Sequence, residues 1–586
     1  MTSVAFHFHG YQPGDVVRWD ESDPLQRPSF EERRSPVSLA VGTERISGRN
    51  WTDAVLRVYG RLQAVLDRAS GAASVDIEPQ TLVWLLERDP TAYRQVLASF
   101  ERGTAALALT PPFHPILPHH HPFDREVLFE MMIDFHAPLL RRLPRANIGL
   151  WLPEAAYSKE TMESYFAAAR RASVDHEGLP DLVRTTYVLV DARQFAGVPP
   201  DTTWASLDPG VRTAAIGRDH GLSSDFAFGA SRADAFYEAI VHAPRQDILV
   251  ASDLESLLAN PAQVERFESI VDALRRKGVN VSPPAPPPKL PEASVVEYSS
   301  WSDYDEYLRN GHTSDTRWTG FRRADGVIVP RVHRGRRLSQ LWKHAFTLTM
   351  ERIETTVRRA SRDILRKGGL VRPKETLRRL ALAYGRHLFR EHFLACGSSG
   401  GELDLEGALG SILGGKVDVE VAGRVARGYV LMLMGLRSDP RFWDNPDTRV
   451  TFQSVALMSR SLMDLSEAWS RMGDAEESQR LVRVLRATCL EFADMYERRD
   501  FAALQGLGGW ETTEAAWHES LQSEAAGRSH YDVVRRAALF ALGESLPRRL
   551  EGFSGRREEV VADTGHIVGE AHGTWENPDW CEHRTP

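Results

Sequence analysis

The sequence predicts an α/β fold, an incomplete (β/α)7 parallel barrel followed by a mainly α-helical C-terminal domain. Three observations predict it. Seven short, β-prone apolar runs in the first half alternate with longer segments, several of helical periodicity. Ionisable or hydrogen-bonding residues gather where each run ends. Beyond a proline-rich stretch at 281–291, strand signals nearly vanish.

The seven runs are 3–9, 73–77, 105–110, 147–152, 186–190, 212–216 and 247–251. Segments 52–69 and 124–142 carry apolar residues at helical spacing, whereas 195–211 contains Pro and Asp and shows no helix. His7 and His9 close the first run, Asp76 and Glu78 the second, and His114 follows the third. Glu154 follows the fourth, Asp191 the fifth, Arg218 and Asp219 the sixth, and Asp253 the seventh. Any one of these could simply mark a loop start. Together they favour a barrel over an open doubly wound sheet, because barrel strands converge on one mouth at their C-terminal ends.

The predicted organisation is a catalytic barrel over 1–280 and an extended Pro-rich linker over 281–291. A helical domain contributing to the cleft spans 292–564, and a polar, aromatic-containing tail spans 565–586. Stretches 336–368, 374–395, 420–436, 450–472, 477–498 and 529–544 carry its helical periodicity.

A length of 586 residues predicts two or three domains, and 42% apolar with 26% charged residues is ordinary globular composition. A net charge of −8 offers no electrostatic case for a nucleic-acid partner. No apolar run approaches the roughly 18 residues of a membrane span. Cys396, Cys489 and Cys581 are too few and scattered for a disulfide framework or zinc cluster. With no basic leader before an apolar run at the N-terminus, the expected location is cytoplasmic. No oligomeric state is written in the pattern.

The chemistry concentrates in a few places. LWLPEAAY (150–157) ends an apolar strand on Trp151 and Pro153, then presents Glu154 followed by small residues. A strand-end carboxylate beside an aromatic suits a nucleophile facing an oxocarbenium-like centre, although such a residue is also a common surface or capping group. Asp253 and Glu255 in ILVASDLES form a second carboxylate candidate; Ser252-Asp253 before a helix also reads as cap chemistry. His7, His9 and His114 fit a wet, polar cleft, while the PHHHP run at 118–122 reads as a solvated loop. His-x-His with a nearby Asp is compatible with zinc, but no Glu/His pair at helical spacing and no Cys ligand supports it. No nucleophile elbow, P-loop or dinucleotide fingerprint is present.

HFHGYQP (7–13), LTPPFHPILP (109–118), LWLPEAAY (150–157), RDHGLSSDFAF (218–228), ASDLES (251–256) and YSSWSDYDEYLRNG (298–311) resemble, in this order, glycoside hydrolase family 57. The resemblance is strongest over 3–320 and points to a bacterial subgroup with a poorly characterised helical C-terminal domain. It implies a (β/α)7 barrel acting on α-1,4-linked glucan or maltooligosaccharide with retention, as amylase, 4-α-glucanotransferase or branching enzyme, without a metal cofactor. It further implies Glu154 as nucleophile and Asp253 as general acid/base, with carboxyls about 5–5.5 Å apart. His7, His9, Gln12, His114, Trp151, Arg218, Asp219, Glu255 and Trp301 are its implied substrate-binding positions. Ser256-Leu257-Leu258-Ala259 departs from the family pattern, as does Arg437-Ser438-Asp439-Pro440 where the family has Ser-Cys-Gly. Two competing readings are a metal-dependent deacetylase or α-mannosidase-like enzyme on a similar barrel, and a sugar-binding protein without turnover.

Overall fold

Alternation in SVAFHFHG gives the first strand, β1 (Ser3–Gly10), two chemically distinct faces, and nearly every residue of it is buried. Phe6 and Phe8 turn outward into the large core beneath the helices, while His7 and His9 point along the barrel interior. The computed structural model describes residues 2–485 apart from 12–14, 19–22, 28, 32–38, 42–43, 47–50, 70, 144–146, 200, 208–212, 229–231, 244, 246, 259–260, 303–317, 319–320, 323–326, 329–330, 334–335, 339–340 and 443–448. Gln12, the tail 565–586, the stretch 529–544 and the end of 477–498 lie outside the described residues.

The other six strands are β2 (Ala73–Ile77), β3 (Ala106–Leu109), β4 (Ile148–Trp151), β5 (Thr186–Asp191), β6 (Ala214–Arg218) and β7 (Asp247–Asp253). All seven runs read from the sequence form strands. They pair in parallel in the order β6-β7-β1-β2-β3-β4-β5, and β5 pairs β6 to close the barrel. The seam between β6 and β7 is touched only at Arg218↔Leu249. Within 195–211 a short strand, Trp204–Ser206, runs antiparallel to β6 beside that seam. An inner core of Ala5, Ala108, Trp151, Leu189, Ile216 and Leu249 fills the barrel, so it is a packed body with a site only at its mouth.

Gly149 shows how tight that interior is. A Cβ there would meet Ala108 Cβ at 2.7 Å and the Tyr187 hydroxyl at 3.1 Å.

Helices α1 (Trp51–Arg68), α2 (Pro79–Arg88), α3 (Pro90–Glu101), α4 (Pro122–Leu140) and α5 (Lys159–Asp175) follow the early strands. Buried Glu78 caps α2 through Thr81 N at 2.8 Å and accepts Phe113 N at 2.7 Å, which pins the loop after β3. From 282 to 291 the chain forms neither helix nor strand, and Ser206 N donates to Pro291 O at 2.8 Å.

Among the described residues the C-terminal half is mainly helical, with α6 (Leu341–Lys367), α7 (Pro373–Leu388), α8 (Val419–Gly435) and α9 (Arg449–Arg471) as their longest helices. Two differences from the sequence reading occur before α6. Residues 321–338 hold two small antiparallel pairs, Phe321–Arg322 with Val327–Ile328 and Arg331–His333 with Arg336–Leu338. The helix expected from 336 therefore starts at Leu341. These strands are only two or three residues long, too short for an alternating pattern to register.

Helix α4 is buried along almost its whole length because the barrel takes one side and the helical half the other. Arg358 and the Tyr429 hydroxyl both bond Asp124, and Arg386 holds Asp134 with two bonds of 2.7 Å. This packing overturns the solvated-loop reading of 118–122: His119 and His120 are buried, and His121 caps α4 through Phe123 N. Burial pushes the His120 imidazole down to about 3, with Arg441 adding to the effect, so it is neutral.

Replacing Gly149 by valine is expected to destabilise the fold by about 1–3 kcal/mol through overpacking. A lower urea midpoint with unchanged slope would register it; an unchanged midpoint would mean the interior yields freely.

Candidate active site

The structure gathers left-handed backbone in one region. Among the described residues, the non-glycine positions with positive φ are Phe113, His114, Glu154, Ala155 and Tyr298. The first two pairs lie just beyond β3 and β4, and Tyr298 lies beside the segment that crosses them. Each such residue costs about 1–3 kcal/mol, and strain of this kind collects where side chains are aimed for function.

Glu154 leaves β4 at φ 61° and ψ 17°, which turns its half-buried carboxyl into the mouth. Its Oε2 accepts the Trp301 indole N–H at 2.7 Å, and its carbonyl accepts Trp301 N at 3.2 Å. Tyr157 N donates to Ser299 O at 2.9 Å, so 299–301 runs beside 154–157. The loop after β5 secures this contact. Gln194 Nε2 reaches Ala155 O at 3.1 Å and Ser299 Oγ at 2.8 Å, and Arg193 Nη2 donates to Trp301 O at 2.6 Å.

Trp301 is half-buried, with its ring edge-on to Trp151 at 4.9 Å and the Arg218 guanidinium 4.5 Å from its centroid. Arg218 Nε donates to Asp191 Oδ2 at 2.9 Å. Burial works to raise the Asp191 carboxyl, yet Arg218, His220 and Arg193 hold it well below the usual carboxylate range. It therefore stays ionised and anchors Arg218.

On the opposite side, buried Asp76 is shared by two histidines. His9 Nδ1 lies 2.8 Å from its Oδ2 and His7 Nε2 lies 3.0 Å from its Oδ1. His7 Nδ1 faces Ser74 Oγ at 3.0 Å, and His9 Nε2 faces His114 Nε2 at 2.9 Å. Burial lowers the His7 imidazole. For His9 burial is outweighed by the Asp76 charge and hydrogen bond, with Asp253 and Glu255 adding, and its value rises to about 9. Among the described residues no group of three His, Cys, Asp or Glu side chains could hold a metal ion, as the metal-dependent reading would require.

Register places Asp253 beside His9 at the end of β7. Burial raises its carboxyl against the opposing charges of His9 and Arg218. Glu255 is buried and accepts the Tyr59 hydroxyl at 2.8 Å; burial, then the charge of Asp253, pushes it up to about 7.

Glu154, Asp253, Trp301 and Arg218 thus meet at the mouth. His7 and Trp151 are almost fully buried below it. His9 and His114 are nearly covered, their ring nitrogens occupied by neighbours. Asp219 sits apart: its Oδ1 accepts Leu222 N at 2.9 Å at the start of a helix, and its Oδ2 faces Arg245 at 3.3 Å. The sequence reading missed Tyr59, Arg193 and Gln194. A signal existed for Gln194, since Asp191-x-x-Gln194 has capping-box spacing and forms one. Tyr59, inside a helix, had none.

The model of the maltose-forming alpha-amylase-like family matches the chain in two parts, its N-terminal domain over residues 1–284 and its C-terminal domain over residues 317–565. Among solved structures the chain is similar to the exo-type maltose-forming amylase from Pyrococcus sp. ST04, with 32% identity, 94% of each chain covered and a TM-score of 0.77. It is also similar to a GH57-type branching enzyme from Pyrococcus horikoshii, at 10% identity over 85% of this chain and 96% of that one, TM-score 0.46. A 4-alpha-glucanotransferase from Thermococcus litoralis shows 15% identity over 80% of this chain and 60% of that one, TM-score 0.40. No curated protein matches the sequence.

Trp301→Phe keeps a ring at the mouth but removes the N–H that holds Glu154. Turnover on maltooligosaccharides is expected to fall at least about tenfold with the melting temperature little changed, the size of one lost orienting hydrogen bond. A large drop in melting temperature instead would make Trp301 a core residue of the junction.

Proposed function

The chain belongs to the maltose-forming alpha-amylase-like family, within glycoside hydrolase family 57, and we propose that it cleaves α-1,4-linked glucan with retention and releases maltose from chain ends. The observation that carries this reading is the pair of strand-end carboxyls on β4 and β7, three strands apart around a seven-stranded barrel and so across its mouth. Their surroundings differ in the direction the chemistry needs. Glu154 is held by an indole N–H, which orients an anionic carboxylate. Asp253 is pushed by burial toward keeping its proton.

In the first step a Glu154 oxygen bonds to the anomeric carbon while the glycosidic C–O bond breaks, and Asp253 gives its proton to the leaving oxygen. In the second, Asp253 takes a proton from an incoming hydroxyl whose oxygen displaces Glu154. Water in that role gives hydrolysis, and a sugar hydroxyl gives transfer. Arg218, fixed by Asp191 and lying over Trp301, keeps a positive charge beside Asp253 as that carboxyl becomes an anion. The maltose product is carried over from the Pyrococcus sp. ST04 amylase.

Incubation with amylose, followed by chromatography, is expected to give maltose as the main product. Longer chains accumulating from maltotetraose would replace hydrolysis by transfer. Glu154→Gln, which removes one charge at nearly constant volume, is expected to reduce kcat by more than about 10⁴-fold while sparing the fold; near wild-type rates would remove Glu154 from the mechanism. Asp253→Asn is expected to slow maltooligosaccharide cleavage severely and activated aryl glycosides mildly, because the latter need little protonation. The same selectivity in Glu255→Gln, and not in Asp253→Asn, would transfer the acid role to Glu255.

A further inference from the structure

The helical half sends one short segment into the histidine side of the mouth. Pro115 and Arg437 form an isolated antiparallel bridge, and Ser438 N donates to His114 O at 2.9 Å. Ser438 Oγ lies 2.6 Å from His114 Nδ1. Tyr11 stacks on the His114 ring at 4.1 Å, and its hydroxyl donates to Asp439 Oδ2 at 2.8 Å. His114 is therefore held by its backbone, its ring face and its ring nitrogen, all with help from residues more than 300 positions away.

These contacts extend a continuous chain of hydrogen bonds: Asp76, His9, His114, Ser438. Asp76 is acceptor only, so His9 Nδ1 carries a proton. One further proton lies between the two Nε2 atoms. If His9 holds it, His9 is a cation, His114 accepts at Nε2, and its Nδ1–H donates to Ser438 Oγ. When the pair has released one proton to solvent, the one on His114 Nδ1, His114 keeps the proton on Nε2, His9 is neutral, and the Ser438 hydroxyl rotates and donates to Nδ1. A hydroxyl is the terminus that satisfies both arrangements, since it is donor and acceptor at once.

We infer that Ser438 is a positioning residue of the catalytic cleft, the terminus that allows the His9–His114 pair to hold a proton beside the Asp253 carboxyl. This rests on the acid role proposed for Asp253. The charged and titratable groups around the pair are His7 from β1, Asp76 from β2, Asp253 and Glu255 from the end of β7, and Tyr11. Arg437 and Asp439 join them from the helical half. When Asp253 protonates the leaving oxygen it becomes an anion, and a cationic His9 on the neighbouring strand stabilises it. The proton on the pair is retained to about pH 9. Without the Ser438 hydroxyl the charged arrangement leaves a buried N–H without its acceptor, and charge-assisted bonds are the stronger ones to lose. The pair then gives up its proton at lower pH, and the acid loses its positive neighbour.

The test compares full-length wild type, Ser438→Ala and Ser438→Thr. Ring-nitrogen NMR on chain labelled with ¹⁵N-histidine follows the pair directly, and kcat/KM on maltooligosaccharides is measured from pH 6 to 9. In Ser438→Ala the pair is expected to titrate about one unit lower, with kcat/KM near wild type at pH 6 and about threefold lower at pH 8.5. Threonine, which keeps the hydroxyl, restores both. An alanine variant with unchanged histidine signals and pH profile, even if less thermostable, overturns the inference, as does equal behaviour of alanine and threonine. Shifted histidine signals in a chain that turns over no glucan would support the proton-holding chain while refuting the proposed function.

Discussion

The buried Asp76 carboxylate, shared between His7 and His9, is the interaction from which the mouth of the barrel is organised. It sits on β2 opposite His9 in the strand register and has no solvent to spread its charge into. A buried carboxylate is costly unless its partners match it, and removing one partner of such a set typically costs about 3–5 kcal/mol. Here burial is answered by the positive charge and hydrogen bond of His9 and by the hydrogen bond of His7, which together lower the carboxyl. The outcome is one imidazole kept neutral and one kept cationic on the same strand, two residues apart. From the cationic ring the bonding passes to His114 and to the helical half on one side. On the other side its charge reaches Asp253 and Glu255.

The second constraint is backbone strain released into contacts. Glu154 and Ala155 adopt left-handed φ without glycine, and so do Phe113 and His114. Each pair is held from outside its own strand. Gln194 and the 299–301 segment secure the first, Glu78 and Ser438 the second. The helical half is therefore part of the site's construction. Through Asp124, Asp134 and Glu130 on α4 it is keyed to the barrel wall by Arg358, Arg386 and Arg378, so the segments it lends to the mouth are placed by a packed interface.

Much of this was legible in the amino-acid order. The seven strands stand within two residues of the apolar runs because strand formation in a buried parallel sheet follows from local composition and length. Glu154 and Asp253 stood out as candidates because each ends an apolar strand run, and Trp301 because 298–311 resembles a family segment; none of these signals needs the fold. The short strands at 321–338 were not found, since two or three residues carry no periodicity. His119 and His120 were assigned to solvent because a polar run beside prolines looks exposed, and only the docking of the helical half covers it.

What the sequence determined by itself was the barrel, the helical character of the second half and the candidate carboxyls, all of which depend on neighbours within about a dozen residues. Only the tertiary structure decided which polar groups face each other. Asp219, read as a site residue, went to a helix start and Arg245, while Tyr59 reached Glu255 from inside a helix. Ser438 met His114 across 324 positions of chain. Such pairings have no local signature, because the free energy that makes them is the summed burial of elements whose sequences do not refer to one another.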